Sequence, residues 1–523
     1  MDAASAPRMQ RTRHLAGLIE RLDLAQLLLR EESCGLERSD LLIAAAPTHD
    51  SRQVLPGGVF VAISGHRVDG ATFATEALKR DAVLLVGEPA AVRSMEALRA
   101  QHPQLPIVAV RNARRALAEA AAWWEGDPTE ELLVIGVTGT DGKTTTSTYL
   151  STALSAAGVP AGLVSTALQR SGGEQSATAA HQTTPEAPAL QAQLRKIAAA
   201  GDRAAVVETT SHGLALDRVA AINYAAGIVT NFTSDHLDLH GTVEEYRKAK
   251  LLLVDRVRGS AASRAANLEP LMVIRRADPA LAPFIAAADA AGVRVVDFDV
   301  AEDGALLLDG QRLEISLRMP GRMNALNAAA ALALIAAWKL PLELAAAAVA
   351  AEPGPPGRSQ VVEAGQPFKV IVDFAHTGPS LTAVIGVARS LLAPGGRLLL
   401  VTGAAGERDP GRRSAVGRAA AAADRTWIAD EDPRGEDPDV IAAAIRDAAR
   451  ELLGASASER ITVLHDRRAA IAAAISTAAP GDVVLLAGKG HERTIERAGV
   501  DEPWDEAAAA REALTSLGYP QGT

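Results

Sequence analysis

Cysteine, aromatic residues and long apolar runs are scarce in this chain, and each scarcity removes a class of protein. One cysteine, Cys34, in 523 residues excludes an intrachain disulfide framework and any multi-cysteine zinc site, and fits a reducing cytoplasm. No apolar run of about 18 residues occurs, so no membrane span is expected. Arg8, Arg11 and Arg13 lie near the start, but no apolar signal core follows them. Basic residues are in deficit, 53 Lys+Arg against 63 Asp+Glu, which argues against nonspecific nucleic-acid binding. An anionic substrate must therefore be held by local arginines and backbone amides. Aromatics make up only 3%, so alanine, valine and leucine must fill the cores, and tracts such as Ala345 to Ala351 read as helix filler. Charged residues at 22% describe a folded chain.

The length implies two to four domains, and three blocks are expected: 1–116, 117–352 and 353–523. The first holds short strands, Val59 to Ile63, Ala82 to Val86 and Ile107 to Val110. In the second, Ala161 to Ser165, Ala204 to Glu208 and Gly227 to Asn231 alternate with helical segments. Such alternation describes an α/β fold with a parallel sheet and helices on both faces. Pro353-Gly354-Pro355-Pro356-Gly357 breaks the pattern like a hinge. The alternation then restarts with Lys369 to Asp373, Arg397 to Thr402, Arg425 to Ala429, Ile461 to Leu464 and Val483 to Ala487, a second doubly wound sheet. Ligands in such sheets sit at the carboxyl ends of strands, where Glu208, Asn231, Asp373 and Gly488 collect. No internal repeat is visible.

The most informative stretch is Thr138-Gly139-Thr140-Asp141-Gly142-Lys143-Thr144-Thr145-Thr146. It follows an apolar strand, Leu132 to Val137, and precedes a helix expected from Ser147 to Ala157. Strand, glycine turn and helix N-terminus form a phosphate cradle, with turn amides aimed at the anion. Lys143 would reach the terminal phosphates of ATP and the Thr144 hydroxyl would coordinate Mg²⁺. Val137 stands where the strict pattern has glycine, so the loop is a variant. Glu208 closes an apolar strand and suits Mg²⁺ held jointly with phosphates; a glutamate capping something local is the competing reading. Asp235, His236, Asp238 and His240 fall within six residues after the next strand, a density that points to a site.

The segments TGTDGKTTT, VETTSH (Val207 to His212), TNFTSDHLDLHG (Thr230 to Gly241) and GRMNALNAAAA (Gly321 to Ala331) together resemble the Mur ligases, in particular the branch that adds the third amino acid to UDP-N-acetylmuramoyl-L-alanyl-D-glutamate. HDSRQVLPGGVFVAISGHRVDG (His49 to Gly70) resembles that branch's nucleotide-sugar domain. PGR (Pro356 to Arg358), VDFAHT, DEDPRGEDP and AGKGHE (Ala487 to Glu492) resemble its carboxy-terminal domain. The resemblance implies a three-domain architecture: a UDP-sugar-binding domain (1–116), a central P-loop-type ATP domain (117–352) and a Rossmann-like, amino-acid-binding domain (353–523). It implies a cytoplasmic, monomeric enzyme of peptidoglycan precursor synthesis, and so of cell-wall biogenesis, cell shape and cell division, with ATP and Mg²⁺.

Residue by residue, the resemblance places Thr138, Gly139, Thr140, Asp141, Gly142, Lys143, Thr144, Asn327, Arg358 and Asp373 at ATP. It makes Thr144, Glu208, His236 and Lys250 metal ligands, Lys250 as a carbamate, and gives Lys143, His236 and Lys250 the catalytic roles. On residue type alone, Lys250 would be a solvated helix lysine. Ser51, His66, Arg67, Val68, Gln182, Thr183, Thr184, Thr210 and Arg218 match positions that hold UDP-muramoyl-dipeptide. Independently, Thr183-Thr184-Pro185-Glu186 reads as a helix start with Thr184 as N-cap and Pro185 in the first turn. Arg413, Asp432, Pro433, Arg434, Gly488 and Glu492 match the amino-acid pocket. Asp141, Gln182 and Thr210 depart from the family's usual asparagine, asparagine and serine.

The chemistry implied is activation of the D-glutamyl γ-carboxylate by the γ-phosphoryl group of ATP, giving an acyl phosphate that an amine attacks with loss of phosphate. Such transfer rests on positioning and charge stabilisation, which agrees with an inventory lacking an obvious nucleophile. Arg434 favours meso-diaminopimelate, because a guanidinium fork seeks a carboxylate. Asp432, where that branch has asparagine, adds negative charge that suits L-lysine or L-ornithine, and Arg434 pairing with Glu436 or Asp437 is a further alternative. Two rivals stand beside the ligase. A folylpolyglutamate-synthetase-like enzyme would lack the segment His49 to Gly70, and an inactive binding protein would not need Lys143, Glu208, His236 and Lys250 together.

Overall fold

The computed structural model describes residues 11–65, 68–177, 182–233, 235 and 237–520. It separates into two compact units, Met1–Ala301 with Ala305–Leu313 and Ala328–Ala346, and Glu302–Gly304 with Glu314–Asn327 and Ala347–Thr523. Among the described residues no helix is long and apolar enough to cross a membrane.

After a helix at Leu15–Leu24, the first unit carries a small parallel sheet, β1 (Val59–Ala62), β2 (Leu84–Gly87) and β3 (Ile107–Ala109), in that order. All eleven residues of these strands are buried, which is why they read as continuous apolar runs. Helix α1 (Ala113–Glu125) follows, capped by Asn112, whose side chain accepts from the Arg115 amide. Gly126 then ends α1 in the left-handed conformation, a common helix stop.

Seven residues after Gly126 begins the central sheet. Its strands are β4 (Leu133–Thr138), β5 (Ala161–Val164), β6 (Leu168–Ser171), β7 (Glu174–Ala177), β8 (Ala204–Glu208), β9 (Ala226–Val229), β10 (Leu271–Ile274) and β11 (Arg294–Val296). The spatial order is β11-β10-β9-β4-β8-β5-β6-β7. The first six in that order are parallel, as the alternating pattern predicts; β6 and β7 add an antiparallel edge that the pattern did not announce. Helix α2 (Lys143–Ala156) starts directly at the lysine, four residues earlier than expected, because Gly142 at φ 81° supplies the turn into it. Threonine and serine fill its first two turns yet are buried. Thr148 Oγ1 donates to Thr144 O at 2.9 Å and, one turn on, Ser151 Oγ to Ala161 O at 2.9 Å, while among the described residues Thr146 Oγ1 and Ser147 Oγ are buried without a hydrogen-bond partner. Helix α3 (Ala187–Ala199) ties the central sheet to α1, since Arg195 donates to the carbonyls of Glu125 and Gly126 at 2.8 Å each.

The central core gathers Val134, Val164, Leu190, Leu194, Val207, Tyr224, Val229, Leu253, Met272 and Phe284, all at most 1% exposed. Burying each large aliphatic side chain contributes about 1.5–3 kcal/mol. A small antiparallel sheet, Phe298–Val300, Leu306–Leu308 and Gln311–Leu313, closes this unit's strands, and helix α4 (Val243–Arg256) packs near the core through Leu253 and Val254.

The second unit carries a six-stranded sheet of β12 (Gln360–Val362), β13 (Lys369–Asp373), β14 (Leu398–Thr402), β15 (Arg425–Ile428), β16 (Ile461–Val463) and β17 (Val483–Ala487), ordered β12-β13-β17-β14-β15-β16. Five strands are parallel, as expected; β12 is an antiparallel edge. Helices α5 (Pro438–Leu453) and α6 (Arg467–Thr477) follow β15 and β16. A hairpin, β18 (Thr494–Arg497) and β19 (Val500–Pro503), follows β17.

Candidate active site

Strand β4 lies between β8 and β9, with Glu208 opposite Val137 and Val229 opposite Thr138. That register places the end of β8, the loop after β4 and the end of β9 side by side at the carboxyl edge of the sheet. The loop is closed by β9's continuation. Asn231 Oδ1 accepts from the Thr140 and Asp141 amides at 3.1 and 2.9 Å, and its Nδ2 donates to Asp141 O at 3.1 Å. Thr230 Oγ1 donates to Asp141 O at 2.6 Å. Two turn amides expected to face an anion are therefore spent on Asn231. Amides lacking intrahelical acceptors lie instead at the start of α2. Gly139, at φ +149°, admits no side chain, since a Cβ there would come within 1.9 Å of Thr230 Oγ1.

Lys143 folds back on the loop, donating from Nζ to Gly139 O at 3.0 Å and Thr140 O at 2.8 Å. Lys250 reaches the same Gly139 oxygen at 2.7 Å from α4. It is 1% exposed, so the solvated helix lysine is ruled out. Helical spacing sets Tyr246 and Lys250 on one face of α4. Tyr246 OH lies 3.2 Å from Thr140 Oγ1, and the Lys250 ammonium sits 4.7 Å from the Tyr246 ring centre. Burial, then the adjacent Lys143 charge, push the Lys250 ammonium well below its usual range, against the pull of Asp235 and Asp141.

Glu208 is fully buried and accepts from Thr166 Oγ1 at 2.8 Å, so local capping does occur there. Thr144 is buried at the first turn of α2. A hydroxyl and a carboxylate flanking a helix N-terminus form a hard-oxygen donor set that fits Mg²⁺. His66, Arg67 and His236 lie outside the described residues.

Thr184 is not a helix cap, contrary to the sequence reading. Helix α3 starts at Ala187 after Glu186, with Pro188 in its first turn, because the Thr184 hydroxyl is used elsewhere. It donates to Glu208 O at 2.7 Å, accepts from the Thr210 amide at 3.0 Å, and lies 3.0 Å from Thr210 Oγ1. Thr210 itself caps the helix Ser211–Ala215, accepting from the Gly213 amide. Arg218 meets Thr184 O at 3.0 Å and the Glu186 carboxylate at 2.7 Å; burial is the leading cause of its lowered pKa. Thr184, Thr210 and Arg218 thus form one cluster beside Glu208, with Gln182 exposed and Thr183 half-buried before it. Ser51 is buried at the start of a short turn capped by Asp50, while Val68 is exposed.

In the second unit, Asp373 ends β13 and accepts from the Ser359 amide at 2.7 Å and the Ala375 amide at 2.8 Å. The Arg358 guanidinium stacks 4.4 Å from the Phe374 ring centre. His376 and His491 flank the same ring at 4.5 and 4.9 Å; burial lowers His376 and takes His491 down to about 3. Asn327 is buried on the helix Arg322–Ala337.

The residues matched to the amino-acid pocket converge. Asp432 Oδ1 accepts from Lys489 Nζ and from the Glu496 amide, both at 2.9 Å. Lys489 is 1% exposed and also meets Glu492 at 2.6 Å. Burial raises the Glu492 carboxyl, with Lys489 opposing it. Gly488, at φ +117°, donates to Asp373 O at 3.1 Å, and a Cβ there would stand 3.1 Å from the buried Glu431 carboxylate. Arg434 pairs with Glu496 at 3.3 Å, not with Glu436 or Asp437. Glu436 is held instead by Arg413 at 2.7 Å, and Pro433 O lies close over Gly406. Sequence reasoning passed over Lys489, Glu496 and Tyr246, and named Asn231 only as a polar residue at a strand's carboxyl end. Lys489 stands inside AGKGHE and Tyr246 one helical turn before Lys250, so those two had a signal; Glu496 had none.

Three family models match the chain: Mur ligase family, catalytic domain over 47–124; Mur ligase middle domain over 137–335; and Mur ligase, glutamate ligase domain over 357–490. A UDP-N-acetylmuramyl-tripeptide synthetase of Roseiflexus sp. (strain RS-1) is 40% identical over 494 residues, covering 91% of this chain and 95% of that protein. A UDP-N-acetylmuramoyl-L-alanyl-D-glutamate–2,6-diaminopimelate ligase of Streptomyces coelicolor is 36% identical over 497 residues, 91% of this chain and 96% of its own. A solved structure of a ligase with that same name covers 91% of this chain and 95% of its own, at 26% identity and a TM-score of 0.60.

Proposed function

The chain belongs to the Mur ligase family, and from that premise we propose that it joins a diamino acid, meso-diaminopimelate, to UDP-N-acetylmuramoyl-L-alanyl-D-glutamate at the expense of ATP. The observation that carries the reading is the meeting of Lys143, Lys250 and Glu208 around the loop after β4. Anionic phosphates suit that place: the Lys143 ammonium, a helix N-terminus and a hard-oxygen donor set lie together. The blocks 1–116, 117–352 and 353–523 are then the sugar-nucleotide, ATP and amino-acid domains of a cytoplasmic, monomeric enzyme.

The D-glutamyl γ-carboxylate is an anion and resists attack by an amine. Its oxygen takes the γ-phosphoryl group of ATP, giving an acyl phosphate and ADP. The free amine adds to the acyl carbon, a proton is lost, and phosphate leaves as the amide forms. Lys143 would steady the transferring phosphoryl charge, and Thr144, Glu208, His236 and carbamylated Lys250 would hold Mg²⁺, which supplies charge neutralisation there. Thr184, Thr210 and Arg218 would seat the muramoyl dipeptide, with Ser51, His66, Arg67, Val68, Gln182 and Thr183. Asn327, Arg358 and Asp373 would hold the nucleotide.

The distal end of the amino acid falls to Arg434. Asp432, the residue that would favour a lysine or ornithine ammonium, is already bonded by Lys489, which supports diaminopimelate. The test is phosphate release from ATP with UDP-muramoyl-dipeptide and one amine at a time. Diaminopimelate should give the highest kcat/KM and a product heavier by that residue. Preference for lysine or ornithine would overturn the amino-acid assignment; release with neither nucleotide-sugar nor amine required would overturn the ligase reading.

A further inference from the structure

His465 follows β16 and lies between the two ends of the segment that leads from β15 to α5. Its Nδ1 is 2.8 Å from Asp430 Oδ1, at the close of β15, and its Nε2 is 3.0 Å from Asp439 Oδ1, in the first turn of α5. The Asp430 amide also donates to His465 O at 3.2 Å. Between these anchors run Asp432, Pro433, Arg434 and Glu436, so the histidine spans the stretch matched to the amino-acid pocket.

We propose that His465 is a positioning residue for the incoming amino acid, an imidazolium clamp that bridges Asp430 and Asp439 and so fixes the segment carrying Asp432, Pro433 and Arg434. This rests on the reading of that segment as the amino-acid pocket. Both partners are carboxylates, which only accept hydrogen bonds, so both ring nitrogens must donate. A neutral imidazole has one N–H and can hold only one end. Hydrogen bonding to Asp430, and then to Asp439, raises the ring's pKa against the effect of burial.

The other charges facing the ring are matched among themselves. Arg497 of β18 pairs with the second oxygen of Asp430 and with Glu502 of β19. On the ring's own side, Asp466 caps α6, Arg467 is locked to Glu506, and Arg468 pairs with Glu512. The clamp and the hairpin act on the same segment, since Glu496 of β18 holds both Asp432 and Arg434. His465 is 37% exposed and lines a cavity of about 520 Å³, so solvent can exchange its proton.

The sign follows directly. A raised pKa means the clamp is complete below it and is lost as pH rises through it. Between about pH 6 and pH 9, KM for diaminopimelate in the wild-type enzyme should rise roughly three- to tenfold, the scale of a partly exposed charged pair. His465→Gln should sit at the raised KM throughout, and Asp439→Asn, on an exposed side chain, should lose the pH dependence. In all three, kcat and KM for ATP should stay within about twofold. A wild-type KM flat with pH, or one that titrates equally in His465→Gln, overturns the clamp. An NMR titration of the His465 ring needs no substrate: a pKa at or below about 6.5 overturns the clamp even if the ligase reading stands. A raised ring pKa with no turnover of any diamino acid upholds the clamp and overturns the pocket assignment.

Discussion

Lys143 and Lys250, 107 positions apart in the chain, both donate to the carbonyl oxygen of Gly139, at 3.0 and 2.7 Å. Two ammonium heads on one oxygen repel each other, and only Lys250 is fully buried. Burial together with that repulsion favours its neutral amine, the form that reacts with carbon dioxide. A carbamate would exchange a destabilised cation for an anion beside Lys143 and Glu208.

Lys250→Met should therefore lower kcat by about 10²-fold or more, the scale for losing one preorganised charge contact. The wild type should lose activity in carbon-dioxide-depleted buffer and regain it with bicarbonate, while the variant responds to neither. Phosphate release measures both. Full activity in Lys250→Met would remove the lysine from the mechanism.

Asn231 holds the phosphate loop shut through three hydrogen bonds. Asn231→Ala leaves the Asp141 amide without its acceptor and the Thr140 amide with only the residue-231 carbonyl, and Asn231→Asp sets a carboxylate against Asp141 O. Each loses about 1–3 kcal/mol of loop order, so nucleotide should bind roughly tenfold more weakly. Calorimetric titration with ADP reads this; unchanged affinity would mean the loop is held by its own glycines.

Glu208→Gln retains an acceptor for Thr166 Oγ1 but removes the negative charge. The fold should persist, with a melting temperature within a few degrees of wild type. Activity should need several-fold more Mg²⁺, and chelation by EDTA should abolish it in the parent enzyme. A magnesium dependence identical in both proteins would rule Glu208 out as a ligand.

Asp482, 3% exposed, accepts from Arg397 N–H at 2.7 Å, the Arg397 guanidinium at 2.8 Å and the Ala479 amide at 3.0 Å. Burial alone would raise its carboxyl, but these donors outweigh it and hold the group below its usual range. A lowered carboxyl contributes stability above the unfolded pKa, near 3.8, and loses it as pH falls through the folded value. Asp482→Asn should thus cost about 2 kcal/mol at pH 7, and the gap should narrow below about pH 4. Urea melts at several pH values test this; a gap constant with pH would mean that the charge contributes nothing.

Much of the architecture was legible because the physics behind it is local. Buried parallel strands are continuous apolar runs, so Ala204–Glu208, Lys369–Asp373 and Val483–Ala487 appear where the pattern puts them. Edge elements were not legible: β6, β7 and β12 are half-polar and short, so no continuous apolar run marks them, although each pairs with a strand only a few residues away. The Thr184 cap was misread for a long-range reason. A threonine before a proline is a good cap in isolation, but capping uses the hydroxyl oxygen as an acceptor, and that oxygen accepts instead from the Thr210 amide 26 residues away.

By itself the chain's order of residues settled the α/β class, the loop from Thr138 to Thr146 and the family to which the motifs belong, since all of these depend on spacing along the backbone. Tertiary structure decided the charges. That Lys250 is buried rather than solvated, that Lys489 occupies Asp432, and that Arg434 answers to Glu496 all follow from strand order and register. A side chain's ionisation and partners are set by which distant segments surround it, and sequence separation carries no trace of that distance.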